Sequence, residues 1–356
     1  MNTKNTQYWP PEAMEAGLEQ AAASLAAGGV VAFPTETVYG LGGDARSTEA
    51  VSRIFEAKGR PSDNPLIVHL ADPEALDGLA ERVNEIERTL IDKFWPGPLT
   101  LVLPVRPDAV SPLVTAGLDT VAVRIPAHEL ARKLIAKSGC PIAAPSANRS
   151  GRPSPTLARH VMQDLDGRID GVLDGGPTGV GLESTVVRVL DGAVHVLRPG
   201  GVTVEQLQEA LGPEVPIAPA NLTRNSGEAE GPRSPGMKYT HYAPRGEMLL
   251  ITGSDPQHLI NTAHRAADEA RRAHRRVGVL APAEHAAAYE DVADAVIVCG
   301  SLHDIHSAAQ ALYAALRECD ERGLNFIVAE GFPEDGIGAA LMNRLRKAAG
   351  GRELQV

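Results

Sequence analysis

Residues 184–200 read STVVRVLDGAVHVLRPG, two short runs rich in β-branched residues that are joined by Asp191 and Gly192. An Asp-Gly pair between two strand-like runs is typical of a tight hairpin turn. Similar runs, TLVLPV and TVAVRI, begin at positions 100 and 120 and are bounded by Pro, Gly or Asp. Strands of mixed length, some of them in hairpins, predict a mixed α/β sheet rather than a doubly wound parallel one.

The pattern along the chain predicts three parts. Helical and strand-like segments alternate as far as residue 212, and a stretch rich in Pro, Gly, Ser and Asn then interrupts the periodicity. Beyond it, strands and helices alternate regularly, which predicts a smaller Rossmann-like parallel α/β domain. That part has no GxGxxG fingerprint, so dinucleotide binding there has little support. We therefore predict a first domain at 1–212, a linker or lid at 213–245 and a C-terminal domain at 246–356.

Composition and charge exclude several classes of protein. The 356 residues are 43% hydrophobic and 22% charged, which is enough to build two domains with ordinary cores. A formal net charge of −11 argues against a large basic surface for nucleic acid, but not against a local cationic pocket. The three cysteines include no CxxC pair and disfavour a disulfide framework or a zinc site. No signal peptide or membrane span is evident, so we expect a cytoplasmic protein.

The segment KGRPSDNPLIVHL, residues 58–70, is a candidate binding loop. It carries two cations and two hydrogen-bonding side chains at alternate positions, namely Lys58, Arg60, Ser62 and Asn64. If the loop is extended, alternate side chains share a face and could converge on one anionic, oxygen-rich ligand such as phosphate. An ordinary polar turn with surface charges explains this stretch equally well when it is considered alone.

Other polar segments could complete such a site. PTETVYGLGGDA, residues 34–45, places hydroxyls between a Pro and several glycines, where backbone can approach a ligand closely or the hydroxyls can cap a helix. APSANRSGRPSPT, residues 144–156, could form a nest of donors around phosphate oxygens or an ordinary loop. Arg124 and Arg198 each end a strand-like run. Together with the 58–64 loop, these arginines indicate a cationic pocket.

Several familiar catalytic arrangements are absent from the sequence. There is no GxSxG elbow, no HExxH helix, no P-loop ending and no carboxylate pair spaced like a metal box. The nearby acids are interpreted as structural, or at most as outer ligands of a magnesium ion; they are Asp44, Asp63, Asp174 and Glu183. The pattern therefore indicates positioning and electrostatics around phosphate rather than covalent catalysis.

Seven segments together carry a resemblance to a known family. In chain order they are PTETVYGLG, KGRPSDNPLIVHL, WPGPLT, VAVRIP, APSANRSGRPS, GLESTVV and LRPGG. In this order they resemble the YrdC-like family, in its long Sua-type form with an extra C-terminal domain. The match is dense over residues 14–212, and SPGMKYTHYAP fits the long form. The resemblance implies a YrdC-like mixed, twisted sheet with helices around a concave cationic site.

The resemblance also implies an activity. It implies a nucleotidyltransferase that makes L-threonylcarbamoyl-AMP and pyrophosphate from ATP, L-threonine and bicarbonate, with Mg²⁺ accompanying the ATP. A separate transferase would use the product to modify the adenosine beside the anticodon of certain tRNAs, so direct tRNA binding by this chain is allowed but not required.

Site residues are implied by position within the matching motifs. Those expected around threonine are Thr35, Thr37, His69, Arg124, Ala144 and Ser184. Those expected around ATP are Lys58, Arg60, Asn64, Thr120, Ser146, Ser154 and Arg198. Lys58 and Arg60 are also expected to act in catalysis, and no residue is assigned to a metal. Because residues 234–244 carry aromatic and cationic side chains, we further expect them to cover the nucleotide as a lid, with His241 and Tyr242 closest to ATP.

Two other functions compete with this interpretation. One is a protein that binds double-stranded RNA or tRNA, or acts in ribosome maturation, which the acidic composition weakens. The other is the carbamoyl-adenylate chemistry of hydrogenase maturation, which normally travels with zinc-finger and acylphosphatase modules. The chain has neither the cysteines nor the N-terminal length for those modules.

Overall fold

The structure is a computed structural model that describes residues 5–218 and 242–356. The described residues fall into two compact units. Unit 1 contains residues 5–150, 154–179 and 183–218, and unit 2 contains residues 151–153, 180–182 and 242–356. Most of the predicted linker, including His241, lies outside the described residues, so the predicted domain boundaries and the lid stay predictions.

Within the described part of unit 1, eleven strands form one mixed sheet. In chain order they are β1 (Gln7–Trp9), β2 (Val31–Phe33), β3 (Gly40–Asp44), β4 (Ile67–His69), β5 (Leu99–Pro104), β6 (Thr120–Arg124), β7 (Ile142–Ala143), β8 (Gly171–Leu173), β9 (Thr185–Leu190), β10 (Ala193–Arg198) and β11 (Ile217–Ala218). Their order across the sheet is β1-β8-β2-β3-β7-β4-β6-β5-β9-β10-β11. Parallel and antiparallel neighbours are interspersed, which confirms the predicted mixed sheet.

Helices cover both faces of this sheet. The α-helices of unit 1 are α1 (Met14–Ala26), α2 (Thr48–Lys58), α3 (Glu85–Phe94), α4 (Pro112–Thr115), α5 (Glu129–Ser138), α6 (Ala158–Leu165) and α7 (Val204–Leu211). Successive strand residues point to opposite faces, and β2 shows this directly. Phe33 joins the core cluster with Leu25 of α1 and Leu134 of α5, whereas Ala32 joins the cluster with Ile54 of α2.

Helix α2 ends where the candidate binding loop begins. Ser47 caps its first turn by accepting a hydrogen bond from the backbone N–H of Ala50. Gly59 terminates it in the left-handed conformation, with φ 63°, which glycine adopts without steric penalty. Lys58 is therefore the last helical residue, and Arg60 is the first residue of the loop that leads into β4.

The Asp-Gly pair forms the predicted hairpin. β9 and β10 pair antiparallel, and Asp191 and Gly192 have φ values of 51° and 77°. Positive φ at both central residues matches the right-handed twist of the flanking strands, which is why Asp-Gly is favoured there. β11 then pairs parallel with β10, through Ile217 beside Val194, so pairing in unit 1 extends beyond residue 212.

Unit 2 is a parallel α/β domain. Among its described residues, five strands form a fully parallel sheet: β12 (Glu247–Thr252), β13 (Val277–Ala281), β14 (Ala295–Val298), β15 (Phe326–Glu330) and β16 (Glu353–Gln355). Its α-helices are α8 (Pro256–Arg272), α9 (Ile305–Glu321) and α10 (Gly338–Ala348). Leu259, Ala263 and Ala267 recur every four residues along α8 and pack on the strands, as an amphipathic crossover helix should. The predicted parallel C-terminal domain is confirmed.

In the ranges that the structure covers, no helix combines the length and the apolar character needed to cross a membrane. Cys140, Cys299 and Cys319 are all buried free thiols.

Candidate active site

The sheet of unit 1 brings the ends of neighbouring strands to one edge. His69 at the end of β4 pairs in register with Arg124 at the end of β6. β5 runs antiparallel to β6 and parallel to β9, so Thr100 and Ser184, near the starts of β5 and β9, lie at the same edge. β10 runs antiparallel to β9 and ends there with Arg198. Five polar side chains that lie far apart along the chain thus share one edge of the sheet.

Arg124 is buried and holds the first polar segment in place. Its Nη1 donates to Thr37 Oγ1 at 2.9 Å, and its Nη2 lies 2.5 Å from Glu36 Oε1. Its Nε donates to the carbonyl of Gly97 at 3.2 Å. The Thr37 hydroxyl is in turn hydrogen-bonded to that of Thr35, at 2.8 Å. The guanidinium is therefore fixed in orientation by several partners, which suits a planar fork for a carboxylate.

His69 is a neutral member of this group. Burial lowers the pKa of the His69 imidazole to about 3, and the nearby positive charge of Arg124 lowers it further. Its Nδ1 lies 3.2 Å from the carbonyl oxygen of Ile67, and its ring meets Phe33 edge-on. The backbone N–H of Ala144 donates to the same carbonyl at 2.9 Å, which brings Ala144 beside β4. His69 can offer hydrogen bonds but no positive charge at neutral pH.

Arg198 and Ser184 form a second buried group. Arg198 Nη2 donates to the carbonyl of Ser184 at 3.0 Å and to its hydroxyl at 3.2 Å. The Ser184 hydroxyl is also hydrogen-bonded to that of Thr100, at 2.7 Å. A Cβ on Gly200 would come within 2.3 Å of the Glu183 carbonyl oxygen, so only glycine allows this close approach of backbone.

Lys58 binds the 144–156 loop through its side chain. Its buried Nζ donates to the carbonyls of Ser146 and Asn148, each at 2.5 Å. The backbone N–H of Ser150 donates back to the Lys58 carbonyl at 2.9 Å. Two segments predicted to hold ATP are thus joined directly. The contacts give Lys58 a structural role in addition to its predicted role toward phosphate.

The rest of the predicted ATP group is arranged less closely. Arg60 Nη2 donates to the carbonyl of Pro65 at 3.3 Å, within its own loop, and Asn64 is buried in that loop. The buried Ser154 hydroxyl donates to Glu183 Oε1 at 2.6 Å. Thr120 is buried at the start of β6, the opposite end of that strand from Arg124. Their assignment to ATP stays a prediction.

Of the two predicted lid residues, Tyr242 alone is described. It is buried in unit 2, where its ring lies 5.3 Å from that of Tyr313, centroid to centroid. The guanidinium of Arg344 lies over the same ring at 5.5 Å. Contact of His241 and Tyr242 with ATP stays a prediction.

The structure also identifies polar residues to which sequence reasoning gave no binding role. Glu36 pairs with Arg124, Thr100 bonds Ser184, and Glu183 accepts from Ser154. Glu36 lies inside the quoted motif PTETVYG, and an acid beside a predicted arginine site could have been noticed. Thr100 begins an otherwise apolar strand, and only the strand order reveals its neighbour.

No group of three or more His, Cys, Asp or Glu residues in the described ranges is arranged to hold a metal ion. The side chains at the strand edge are cationic, hydroxyl-bearing or neutral, apart from Glu36 and Glu183. This donor set fits anionic ligands better than a bare cation.

Comparison with known proteins extends over both units. The Sua5/YciO/YrdC family model, described as "Telomere recombination", matches residues 23–200, and the model of a "Threonylcarbamoyl-AMP synthase, C-terminal domain" matches residues 202–350. A curated threonylcarbamoyl-AMP synthase from Bacillus subtilis is 54% identical over 95% of this chain and 94% of its own length. One from Pyrococcus abyssi is 46% identical over 94% of this chain and 95% of its own length.

Solved structures agree with these relatives. A crystal structure of P. abyssi Sua5 complexed with L-threonine has a TM-score of 0.88 and 44% identity, and it covers 99% of each chain. A structure of an altered form of the same protein has a TM-score of 0.90 and 43% identity, covering 99% of this chain and 98% of the other. Nothing among these relatives supports the RNA-binding alternative.

Proposed function

Because this chain belongs to the Sua5/YciO/YrdC family, we propose that it makes L-threonylcarbamoyl-AMP and pyrophosphate from ATP, L-threonine and bicarbonate. The observation that carries the proposal is the similarity to curated synthases over 95% of the chain. The buried hydrogen-bonding edge of unit 1 supports it, since the reaction has to orient one amino acid, one small anion and one nucleotide.

Threonine is assigned to the group around Arg124. The fixed guanidinium offers parallel donors for the amino-acid carboxylate, and Thr35 and Thr37 place hydroxyls beside it. Neutral His69, Ala144 and Ser184 would complete the pocket. The P. abyssi Sua5 complex with L-threonine supports this choice of substrate.

ATP is assigned to Lys58, Arg60 and the segment between Ser146 and Ser154, with Arg198 nearby on the strand edge. Cationic side chains beside hydroxyls and backbone donors are the usual partners of phosphate. Because the described residues include no metal-binding trio, Mg²⁺ would arrive already bound to the phosphates, where it offsets their charge.

The chemistry that we propose needs positioning rather than a covalent enzyme intermediate. The threonine amine adds to bicarbonate, loses water and gives N-carboxythreonine. An oxygen of the new carboxylate then forms a bond to the α-phosphorus of ATP as the bond to the bridging oxygen of pyrophosphate breaks. Holding the reactants in register can supply up to about 7–11 kcal/mol of the barrier. Fixed cations stabilise the charge that develops on pyrophosphate.

The product is a reactive mixed anhydride, which a separate tRNA threonylcarbamoyl transferase would consume. We place the protein in the cytoplasm, where tRNA is modified, and three free buried thiols suit that reducing compartment.

Release of pyrophosphate tests the proposal. With ATP, threonine and bicarbonate present, we expect release, and omission of any one of the three should abolish it. The matched control is Arg124→Ala, which should raise the threonine requirement more than the ATP requirement. Robust hydrolysis of ATP to AMP without threonine would contradict the proposed activity.

A further inference from the structure

Unit 2 contains a cavity of about 550 Å³ at the carboxyl ends of its parallel strands. Thr252 ends β12, Glu330 ends β15 and Gln355 lies at the end of β16, and all three line it. Ligands of open parallel sheets bind outside this edge, because the loops after the strands form a crevice there. A cavity of this volume suits a small organic molecule. None of the residues assigned above to threonine or ATP lines it.

A buried carboxylate forms the floor of the cavity. The side chain of Glu330 is 1% exposed, its Oε1 accepts from the Tyr289 hydroxyl at 2.5 Å, and its Oε2 lies 2.7 Å from Nδ1 of His285. A carboxylate oxygen can only accept, so the imidazole donates from Nδ1 and its Nε2 carries a lone pair. His285 also lines the cavity and is 14% exposed. The floor therefore presents an acceptor held in one orientation.

The rim of the cavity is acidic. Arg346 Nη1 and Nη2 donate to Glu334 at 2.9 and 2.6 Å, and its Nε donates to Glu353 at 3.1 Å. The guanidinium is thus engaged by two protein carboxylates, and an incoming phosphate or carboxylate would have to displace them. Glu334 is 47% exposed and Glu353 29%, so both can still reach a ligand. Three carboxylates line the cavity together with one guanidinium, which favours a positively charged occupant.

The walls are apolar. They include Leu259, Leu302, Phe332, Pro333, Met342 and Val356. A bare or hydrated metal ion gains nothing from such walls, and the described residues form no metal-binding trio. An organic group would bury apolar surface against them.

We propose that this cavity binds an organic cation, a small molecule in which an ammonium or amidinium group is attached to an apolar body. The cationic group donates to the acidic rim and to Nε2 of His285, and the apolar body packs on Phe332 and the neighbouring walls. This gives the C-terminal domain a ligand of its own class, opposite in charge to the nucleotide assigned to unit 1.

Three nearly isosteric probes test the charge preference on the full-length chain: benzamidine, benzamide and benzoate, which are cationic, neutral and anionic. Calorimetric titration should show binding of benzamidine, with benzamide at least about tenfold weaker because it lacks the charge-assisted hydrogen bonds. Benzoate should be weaker still. Hydrogen exchange should show benzamidine protecting residues 252–256 and 330–334, which places the probe in this cavity.

Matched variants complete the test. Glu334→Gln and Glu353→Gln should each weaken benzamidine about five- to tenfold, because each removes one rim charge and keeps the shape. Glu290→Gln removes an exposed acid outside the cavity and should leave binding unchanged. Thermal unfolding would verify that each variant is folded. Equal affinity for the three probes, tighter binding of benzoate, protection elsewhere, or an equal loss in Glu290→Gln would overturn the proposal.

Discussion

Lys58 and Arg60 stand two residues apart but are held in different ways. The Lys58 ammonium is buried among carbonyls of the 146–148 loop, whereas the half-buried Arg60 guanidinium bonds within its own loop. Loss of Lys58 leaves buried acceptors without their donor, which costs about 1–3 kcal/mol. Loss of Arg60 removes a charge near ATP and little of the packing.

We therefore predict that Lys58→Ala lowers both the free energy of unfolding, by about 1–3 kcal/mol, and the affinity for ATP. Arg60→Ala should lower kcat/KM for ATP by roughly 10- to 100-fold, the equivalent of one charge-assisted contact, with little loss of stability. Chemical denaturation and ATP titrations at saturating threonine measure the two effects. Unchanged ATP dependence in both variants would place the loop outside the site.

His69 predicts a specific dependence of stability on pH. Its pKa is about 3 in the folded protein, below the value of about 6.5 expected in the unfolded chain. Above pH 6.5 the imidazole is neutral in both states and contributes no pH dependence. As the pH falls below 6.5, the unfolded state binds a proton that the folded state does not, so stability is lost.

From this difference we expect His69 to account for about 2 kcal/mol of the stability lost between pH 7 and pH 5. His69→Gln should remove that part of the loss, which denaturation of both proteins across the pH range would measure. Equal slopes in the two proteins would contradict a buried neutral imidazole. KM for threonine should show no titration of His69 between pH 6 and 7.

Helix α2 connects a local backbone preference to the candidate site. Gly59 and Gly139 end α2 and α5 in the same left-handed conformation, with φ 63° and 68°, and an added Cβ would meet no atom within 4 Å at either position. Alanine at either position therefore introduces backbone strain without a steric clash. The two glycines differ in the segments that they introduce, because only Gly59 leads into the loop of Arg60.

We predict that Gly59→Ala and Gly139→Ala each lower the free energy of unfolding by about 1 kcal/mol. Only Gly59→Ala should also raise KM for ATP, since strain at the helix end shifts the loop that begins there. Gly139→Ala is the matched control. A rise in KM of the same size in both variants would mean that global loosening, not loop position, sets ATP affinity.

The division into two units predicts the outcome of a truncation. The core clusters of unit 1 contain residues of that unit only, and β11 completes its sheet at Ala218. Unit 2 takes in residues 151–153, where Arg317 Nη2 donates to the carbonyl of Pro153 at 2.6 Å. The next residue, Ser154, is a predicted ATP ligand.

A chain that ends after residue 218 should therefore fold cooperatively but catalyse weakly. Hydrogen exchange should rise around residues 151–153, which lose their partners, while the strands of unit 1 stay protected. Pyrophosphate release by the truncated and full-length chains measures the loss of activity. Equal rates and equal exchange would show that unit 2 is dispensable for the reaction.

Local features of the fold were predictable from the sequence. The Asp191–Gly192 turn, the end of α2 at Gly59 and the parallel pattern of unit 2 depend on backbone preferences and periodicity within a few residues. The motifs also indicated most of the polar residues at the strand edge, without indicating which of them meet. Glu36 and Thr100 were given no binding role, because neither has a local signal.

The partners of the buried cations depended on the fold. Arg124 meets Thr37 across 87 residues, and Lys58 meets the Asn148 carbonyl across 90, because the sheet order sets β3 and β7 beside β4 and β6. Loop geometry at residue 58 favours any nearby anion or carbonyl equally. Burial selects among them, since an ammonium removed from water must find acceptors, and only the packed sheet determines which carbonyls are within reach.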